Sequence, residues 1–228
     1  MRIAEIYKSM QGEGFLTGTE SVFVRTSGCN LRCWYCDTPY TSWEPEGDDC
    51  SVDDILKQVA EFDIRHVVLT GGEPMLFAEL IPLCRGLRER HLHITIETAG
   101  TLHLPLECDL MSISPKLSNS APAVASFPKW HARHEATRHR PEVIRRLVAD
   151  HDYQIKFVVD QPGDCDEIAE YLRDLSFLDR RRVLLMPQGT DPAGIQEITS
   201  WLEPYCRDHE LQFCPRRHLE WFGFSRAT

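Results

Sequence analysis

The sequence predicts an α/β fold, arranged as an incomplete, open βα barrel with a mostly parallel sheet. Short β-branched runs alternate with longer helix-like stretches along the chain, which is the order expected of βα units. About seven inner strands can be counted, whereas a closed barrel needs eight. The chain has 228 residues, the length of one domain. We therefore expect a single domain over residues 1–228.

The predicted strands are short runs rich in β-branched or aromatic side chains. The run HVVLT is apolar enough for a strand that is buried on both faces. In chain order, the predicted strands cover residues 21–26, 66–70, 93–98, 109–114, 153–160, 182–187 and 211–214.

The predicted helices lie between these strands and cover residues 51–62, 76–90, 142–150, 164–175 and 194–209. Ser51 is a suitable N-cap for the first helix, since acidic residues follow it in the first turn. Pro82 weakens the prediction in the middle of the second helix, whereas Pro141 suits the first turn of the third. Residues 117–140 have no clear period and are predicted as a loop or lid. Residues 215–228 are predicted as a C-terminal tail.

Composition and charge narrow the class of protein. Apolar residues make up 42% of the chain and charged residues 26%, which is ordinary for a soluble globular protein. The first residues hold no apolar core of signal-peptide length, and no apolar run is as long as a membrane span. We therefore expect a cytoplasmic protein that does not bind membranes. The net charge of −10 argues against a nucleic-acid binder with a broad basic surface.

Three of the nine cysteines fall within the stretch SGCNLRCWYCDT. Cys29, Cys33 and Cys36 form the pattern C-x3-C-x2-C, and clustered cysteines in a reducing compartment favour a metal site or catalysis over disulfides. An iron–sulfur cube normally takes four thiolates, so three cysteines leave one iron open to another ligand.

Three other readings of this pattern are open. Zinc would need a distant fourth ligand, a redox pair would use only Cys33 and Cys36, and buried thiols would be inert. The remaining cysteines show no metal-binding spacing and are predicted to be structural: Cys50, Cys84, Cys108, Cys165, Cys206 and Cys214.

Polar segments follow five of the predicted strands, and parallel βα folds carry their chemistry at these strand ends. Cys29 follows the first strand, and the other four segments are TGGEP, ETAGT, SPK and MPQGTD, at residues 70–74, 97–101, 114–116 and 186–191. Because the carboxyl ends of parallel strands share one edge of a sheet, we expect these segments to border one ligand cleft.

The cysteine spacing, with Tyr35 just before the last cysteine and GGEP at a strand end, resembles the radical S-adenosylmethionine superfamily. That resemblance implies a 4Fe–4S cluster on Cys29, Cys33 and Cys36. It also implies S-adenosyl-L-methionine on the open iron, cleaved by an electron to a 5′-deoxyadenosyl radical. The positions that match the cofactor-binding residues of the superfamily are Tyr35, Cys36, Asp37, Gly72, Ser114, Pro115, Lys116, Met186, Pro187, Gln188 and Gly189.

The segments SMQGEG, CDT and SPK together resemble one group in that superfamily, lyases that make 7-deazapurines for queuosine biosynthesis. The group contracts the ring of 6-carboxy-5,6,7,8-tetrahydropterin to 7-carboxy-7-deazaguanine, with loss of ammonia. The resemblance implies Mg2+ on Thr38, a homodimer, and a reducing partner such as flavodoxin or ferredoxin. It assigns no catalytic side chain. The implied substrate-binding residues are Met10, Gln11, Gly12, Glu13, Arg25, Thr70 and His218.

Each implied residue also has a simpler reading. Glu13 suits a turn, Arg25 suits an ion pair with Glu20, Thr38 suits a helix N-cap, and Lys116 suits an exposed surface.

Two other functions are open as well. A glycyl-radical activating enzyme shares the cysteine pattern but acts on a protein backbone without Mg2+. A non-enzymatic zinc or iron–sulfur protein would not cleave S-adenosylmethionine. His131, His134 and His139 are predicted as loop residues.

Overall fold

The computed structural model describes residues 1–226. One nine-stranded sheet runs through these residues in the order β3-β1-β2-β4-β5-β6-β7-β8-β9. The strands are β1 Arg2–Met10, β2 Glu20–Thr26, β3 Asp48–Asp49, β4 His66–Gly71, β5 His93–Thr98, β6 Leu110–Ile113, β7 Tyr153–Val159, β8 Val183–Pro187 and β9 Gln212–Phe213.

The sheet is mostly parallel and open, which confirms the predicted fold class. From β2 to β9 every neighbouring pair is parallel, and at the other edge β1 pairs antiparallel with both β2 and β3. The strands at the two ends of the order, β3 and β9, do not pair with each other, so the barrel is incomplete. All seven predicted strands are present.

The helices lie between strands, except the last, which follows β9. They are α1 Pro39–Ser42, α2 Val52–Ala60, α3 Leu80–Glu89, α4 Pro128–Arg138, α5 Pro141–Asp150, α6 Gly163–Asp174, α7 Pro192–Asp208 and α8 Arg217–Phe222. Ser51 caps α2 as predicted, since its hydroxyl accepts a hydrogen bond from the amide of Asp54 at 3.1 Å. No helix among residues 1–226 is long and apolar enough to cross a membrane.

The second predicted helix begins later than expected. A 3-10 turn occupies Pro74–Leu76, and α3 starts at Leu80. The turn forms because the carboxylate of Glu73 accepts a hydrogen bond from the amide of Met75 at 3.1 Å. Pro82 then lies in the first turn of α3, where a missing amide hydrogen removes no helical bond.

Two segments differ from the prediction. Strand β1 was not predicted, because charged residues such as Glu5 and Lys8 interrupt its apolar pattern. The prediction of an irregular loop over residues 117–140 is wrong for Pro128–Arg138, which form α4. The only side chain of α4 that is fully buried is His134, so the helix has no apolar stripe from which periodicity could predict it.

Apolar side chains from both faces of the sheet form one core against the helices. Leu69 lies at the centre of β4 and is 1% exposed. We expect Leu69→Ala to lower the free energy of unfolding by about 3 kcal/mol, since it removes buried contacts and leaves a cavity.

The matched control is Val124→Ala, because Val124 is 57% exposed and should change stability by less than about 0.5 kcal/mol. Urea unfolding of both variants measures the difference. An equal effect of the two changes would contradict the central place of β4 in the core.

Candidate functional site

A cavity of about 560 Å3 lies at the carboxyl ends of the parallel strands. It gathers most of the residues that the sequence singled out, from the first turn after β1 to the C-terminal tail. Pro115 and Pro187 lie outside its lining. The predicted residues that line it are Met10, Gln11, Gly12, Glu13, Arg25, Cys29, Cys33, Tyr35, Cys36, Asp37, Thr38, Thr70, Gly72, Ser114, Lys116, Met186, Gln188, Gly189 and His218.

The cysteine loop between β2 and α1 has no regular structure and is held by hydrogen bonds from its surroundings. The amide of Gly28 donates to the carbonyl of Thr41 at 2.8 Å, and the indole of Trp43 donates to the carbonyl of Cys33 at 2.9 Å. Burial raises the pKa of the Cys29 and Cys33 thiols to about 12. A bound metal centre would favour the thiolate form of both side chains.

The donor set fits an iron–sulfur cluster. Cys29, Cys33 and Cys36 line the cavity, and none of the other six cysteines does. Among residues 1–226, no three His, Cys, Asp or Glu side chains converge on the position of a single metal ion.

The glycines after β4 lie against the start of the cysteine loop. A Cβ atom on Gly71 would lie 2.1 Å from the carbonyl oxygen of Thr26, and one on Gly72 would lie 2.1 Å from that of Gly28. The amides of Gly72 and Glu73 donate to these same two carbonyls at 3.1 and 2.8 Å. Glycine is therefore required here by the loop itself, while Gly72 still borders the cavity.

Glu73 is fully buried and joins neighbouring strand ends. It accepts hydrogen bonds from the hydroxyl of Thr98 and the amide of Ala99 at 2.9 Å. Burial raises its pKa. This residue stabilises the rim of the cavity and does not line it.

Glu13 lies in a cluster of positive groups, so the turn reading does not account for it. It forms ion pairs with Lys156 and with Arg216, whose Nε lies 3.3 Å from a Glu13 oxygen. Nδ1 of His218 lies 3.8 Å from the same oxygen. Burial would raise the pKa of Glu13, but these positive charges, Lys156 first, lower it far below the ordinary value. Glu13 is therefore ionised across the physiological range.

Arg25 pairs with Glu5 and not with Glu20. Its Nε donates to Glu5 at 2.7 Å and its Nη2 donates to the hydroxyl of Tyr7 at 2.6 Å, while Glu20 pairs with Lys8 at 3.1 Å. Nη1 of Arg25 makes no hydrogen bond within the part of the chain that the structure describes. The outer edge of this guanidinium is thus available to an anion in the cavity.

Thr38 does not act as a side-chain N-cap, and Lys116 does not extend into solvent as a surface lysine. Thr38 precedes α1 but makes no side-chain capping bond, and its hydroxyl lies 3.3 Å from that of Thr41. The ammonium of Lys116 turns back to the carbonyl and hydroxyl of Ser114, at 2.9 and 2.7 Å. Both side chains border the cavity.

The C-terminal tail covers part of the cavity. The amide of Arg217 donates to the carbonyl of Gly12 at 2.9 Å, which brings His218 against the turn after β1. Further on, Arg226 donates to Glu5 at 3.1 Å and to Glu46 at 2.9 Å. Residues 227–228 of the predicted tail lie outside the described residues.

The structure adds Lys156 and Arg216 to the cavity, which sequence reasoning missed, and it gives a partner to Glu97 of the predicted segment ETAGT. Lys156 and Glu97 lie in β7 and β5, and a Nζ–Oε1 distance of 4.0 Å separates them. Arg216 donates to Asp37 at 2.7 Å. A lysine inside the buried run YQIKFVV was a usable signal, since a charge in a buried strand needs a partner.

The chain is similar in sequence to known proteins. The sequence profile of the Radical SAM superfamily matches residues 23–117. A 7-carboxy-7-deazaguanine synthase of Rhodopirellula baltica is 45% identical over 227 residues, which are 99% of this chain and 88% of the relative. One of Halobacterium salinarum is 43% identical over 236 residues, with 99% and 92% covered.

A solved structure agrees in fold. The crystal structure of QueE from Escherichia coli matches with a TM-score of 0.72 at 24% sequence identity, over 95% of this chain and 94% of that one. The likeness extends along the whole sheet and shows that the two chains share their fold.

We expect Lys156→Met to lower the free energy of unfolding at pH 7 by about 3 kcal/mol, because it leaves Glu13 without its main partner. Adding Glu13→Gln should restore part of the lost stability, since the double variant no longer holds an unpaired carboxylate at position 13. Urea unfolding measures both.

The stability that the Glu13–Lys156 ion pair contributes changes with pH in a defined direction. The pKa of Glu13 is lowered by folding, so the stability from this pair is present above the ordinary value of 4.5 and is lost as the pH falls below it. The difference between wild type and Lys156→Met should therefore shrink in acid. A difference that is constant from pH 7 to pH 3 would contradict the ion pair.

Proposed function

Because the chain belongs to the radical S-adenosylmethionine superfamily, and within it to the 7-carboxy-7-deazaguanine synthase family, we propose that it contracts the ring of 6-carboxy-5,6,7,8-tetrahydropterin. The product is 7-carboxy-7-deazaguanine, and one ammonia is lost. The reaction belongs to 7-deazapurine formation for queuosine.

The observation that carries this proposal is the pairing of an ionised carboxylate with an arginine edge in one cavity. A pterin presents two neighbouring N–H groups on its pyrimidine ring, and ionised Glu13 suits them as a charge-assisted acceptor. A carboxylate has about four lone-pair sites, so Glu13 can bind substrate while Lys156 and Arg216 stay in place. The outer edge of Arg25 suits the substrate carboxylate.

Other residues of the predicted set complete the substrate site in this proposal. Gln11 is already oriented, because its amide donates to the hydroxyl of Ser21 at 2.9 Å. Thr70 donates to Glu97 at 2.7 Å, which leaves its oxygen free to accept. His218 and the backbone of Met10 and Gly12 border the same end of the cavity.

The cofactors have matching residues. Cys29, Cys33 and Cys36 would hold the 4Fe–4S cluster, which with S-adenosylmethionine supplies the radical that abstracts hydrogen from the substrate. Gly72, Ser114, Lys116 and the segment 186–189 would bind S-adenosylmethionine. We also assign Mg2+ to Thr38, since a hydroxyl is a hard oxygen donor that Mg2+ accepts beside water and a substrate carboxylate.

The tail favours a small substrate over a protein backbone. His218, Phe224 and Arg226 all border the cavity, and the ion pairs of Arg226 with Glu5 and Glu46 hold this end of the chain over it. A glycyl-radical activating enzyme must instead admit a polypeptide. The covered cavity is therefore better suited to a pterin, and it shelters reactive species from water.

The remaining features of the proposal concern partners. A flavodoxin or ferredoxin would reduce the cluster, two copies of the chain would form a homodimer, and the protein would act in the cytoplasm. The nine cysteines are all free thiols in the structure, as expected of a reducing compartment.

The test uses anaerobically reconstituted protein with dithionite, S-adenosylmethionine, Mg2+ and 6-carboxytetrahydropterin. We expect mass spectrometry to show a product lighter than the substrate by one ammonia. Cys33→Ala should form neither this product nor 5′-deoxyadenosine, because its cluster is missing a ligand. Release of 5′-deoxyadenosine by the wild type without the lighter product would retain the superfamily and reject the substrate.

Thr38→Val tests the magnesium site. We expect the concentration of Mg2+ that gives half-maximal rate to rise by about tenfold or more, because one oxygen ligand is lost. The iron content should be unchanged.

Thr199→Val is the matched control for this change, since Thr199 lies on α7 outside the cavity lining. Its Mg2+ response should match that of the wild type. An unchanged Mg2+ response of Thr38→Val would show that Thr38 is not a ligand.

A further inference from the structure

The segment 117–140 has no place in the proposed chemistry, yet it packs against the cysteine loop. Its 3-10 turn, Ser118–Ser120, and helix α4 contact this loop between Cys29 and Cys36. Most of these contacts are hydrogen bonds and ring contacts to two loop residues, Arg32 and Trp34.

The backbone of Arg32 is hydrogen-bonded to the side chain of His134. The amide of Arg32 donates to Nδ1 of His134 at 3.2 Å, and Nε2 of His134 lies 2.8 Å from the hydroxyl of Ser120. That hydroxyl donates its own hydrogen to the carbonyl of Leu117 at 2.6 Å, so it accepts from Nε2. The proton of the ring is thereby placed on Nε2, and Nδ1 is left as the acceptor for Arg32.

His134 is suited to this task by its burial. His134 is 1% exposed, and burial lowers the pKa of its imidazole to about 4. The ring is therefore neutral at physiological pH. An imidazolium would have no lone pair for the amide of Arg32.

The side chain of Arg32 is held by the same helix. Its guanidinium carbon lies 4.1 Å from the centre of the Trp130 ring, a cation–π contact. Nη1 of Arg32 donates to the carbonyls of Cys29 and Leu31 at 2.8 and 2.7 Å. Arg32 thus ties the backbone on one side of Cys33 to α4 through both its amide and its side chain.

The 3-10 turn holds the other side of Cys33. The amide of Trp34 donates to the carbonyl of Ser120 at 3.1 Å, and its indole donates to the carbonyl of Asn119 at 2.7 Å. The amide group of Asn119 donates in turn to Asp164 of α6 at 2.8 Å. The loop is therefore connected through this turn to the main body of the fold.

We propose, resting on the iron–sulfur cluster of the proposed function, that the 3-10 turn and helix α4 position Cys29 and Cys33, with His134 and Trp130 as positioning residues that act through Arg32. The loop needs such support because it has no secondary structure of its own, while its thiols must match fixed iron positions. Hydrogen-bonding partners around metal ligands commonly change metal affinity by about tenfold or more.

The test compares three variants of His134 in the reconstituted holoprotein, without any pterin. His134→Asn retains an acceptor near the position of Nδ1, His134→Gln retains a donor near Nε2, and His134→Leu retains only volume. We measure iron per chain, the rate at which the cluster absorbance is lost in air, and the EPR spectrum of the reduced cluster.

We expect cluster loss to be about tenfold faster in the Leu and Gln variants and close to wild type in the Asn variant. The thermal midpoints of the three cluster-free proteins should agree, which separates cluster positioning from folding. Equal cluster lifetimes in all variants and wild type would overturn the proposal. The proposal would also be overturned if the cluster were lost faster in both the Asn and the Leu variant and the thermal midpoints of these two cluster-free proteins fell by the same amount.

A variant of Arg32 tests the proposal if the His134 variants do not fold. Arg32→Gln removes the guanidinium that contacts Trp130 and donates to the carbonyls of Cys29 and Leu31. We expect its cluster to be lost in air about tenfold faster than that of the wild type, while Lys129→Gln on the exposed part of α4 leaves the rate unchanged. A rate of cluster loss in Arg32→Gln equal to that of the wild type would overturn the role of Arg32.

Discussion

Strands β2 and β4 pair in parallel, with Arg25 opposite Thr70 and Thr26 opposite Gly71, and the cavity depends on this register. The backbone after β4 lies so close to the end of β2 that no Cβ fits on Gly71 or Gly72. Their neighbouring amides donate to the carbonyls that lead into the cysteine loop. One contact between two strand ends therefore determines where the cysteines lie relative to Arg25 and Thr70.

Two partly buried carboxylates connect the start of the chain to its end. Glu5 on β1 accepts hydrogen bonds from Arg25 and from Arg226 of the tail. Glu13, after β1, pairs with Lys156 and with Arg216 at the start of the tail. In both clusters the carboxylate is surrounded by cations, which suits a cavity that must bind an anionic substrate although the chain has a net charge of −10.

The cysteine loop obtains its conformation from other segments. The glycines after β4 hold its start, α1 and Trp43 contact its end, and α4 holds its middle through Arg32. A loop supported from three sides is pre-organised for its metal centre. Helix α4 therefore belongs with the site in spite of its distance along the chain.

The sequence by itself determined the parallel βα order, since buried strands in such a sheet are continuous apolar runs and capped helices separate them. It also determined the cysteine pattern and the strand-end segments that border the cavity, because the carboxyl ends of parallel strands meet at one edge. Residues 10–13 and His218 of the lining were named only through the family resemblance. Only the tertiary structure decided the partners of the charged residues. Glu5, Lys156 and Arg216 lie far apart in the sequence, and no local pattern relates them. The tertiary structure alone also decided the presence of α4. Its contacts are single polar bonds made across the fold, which produce no periodic pattern in the sequence.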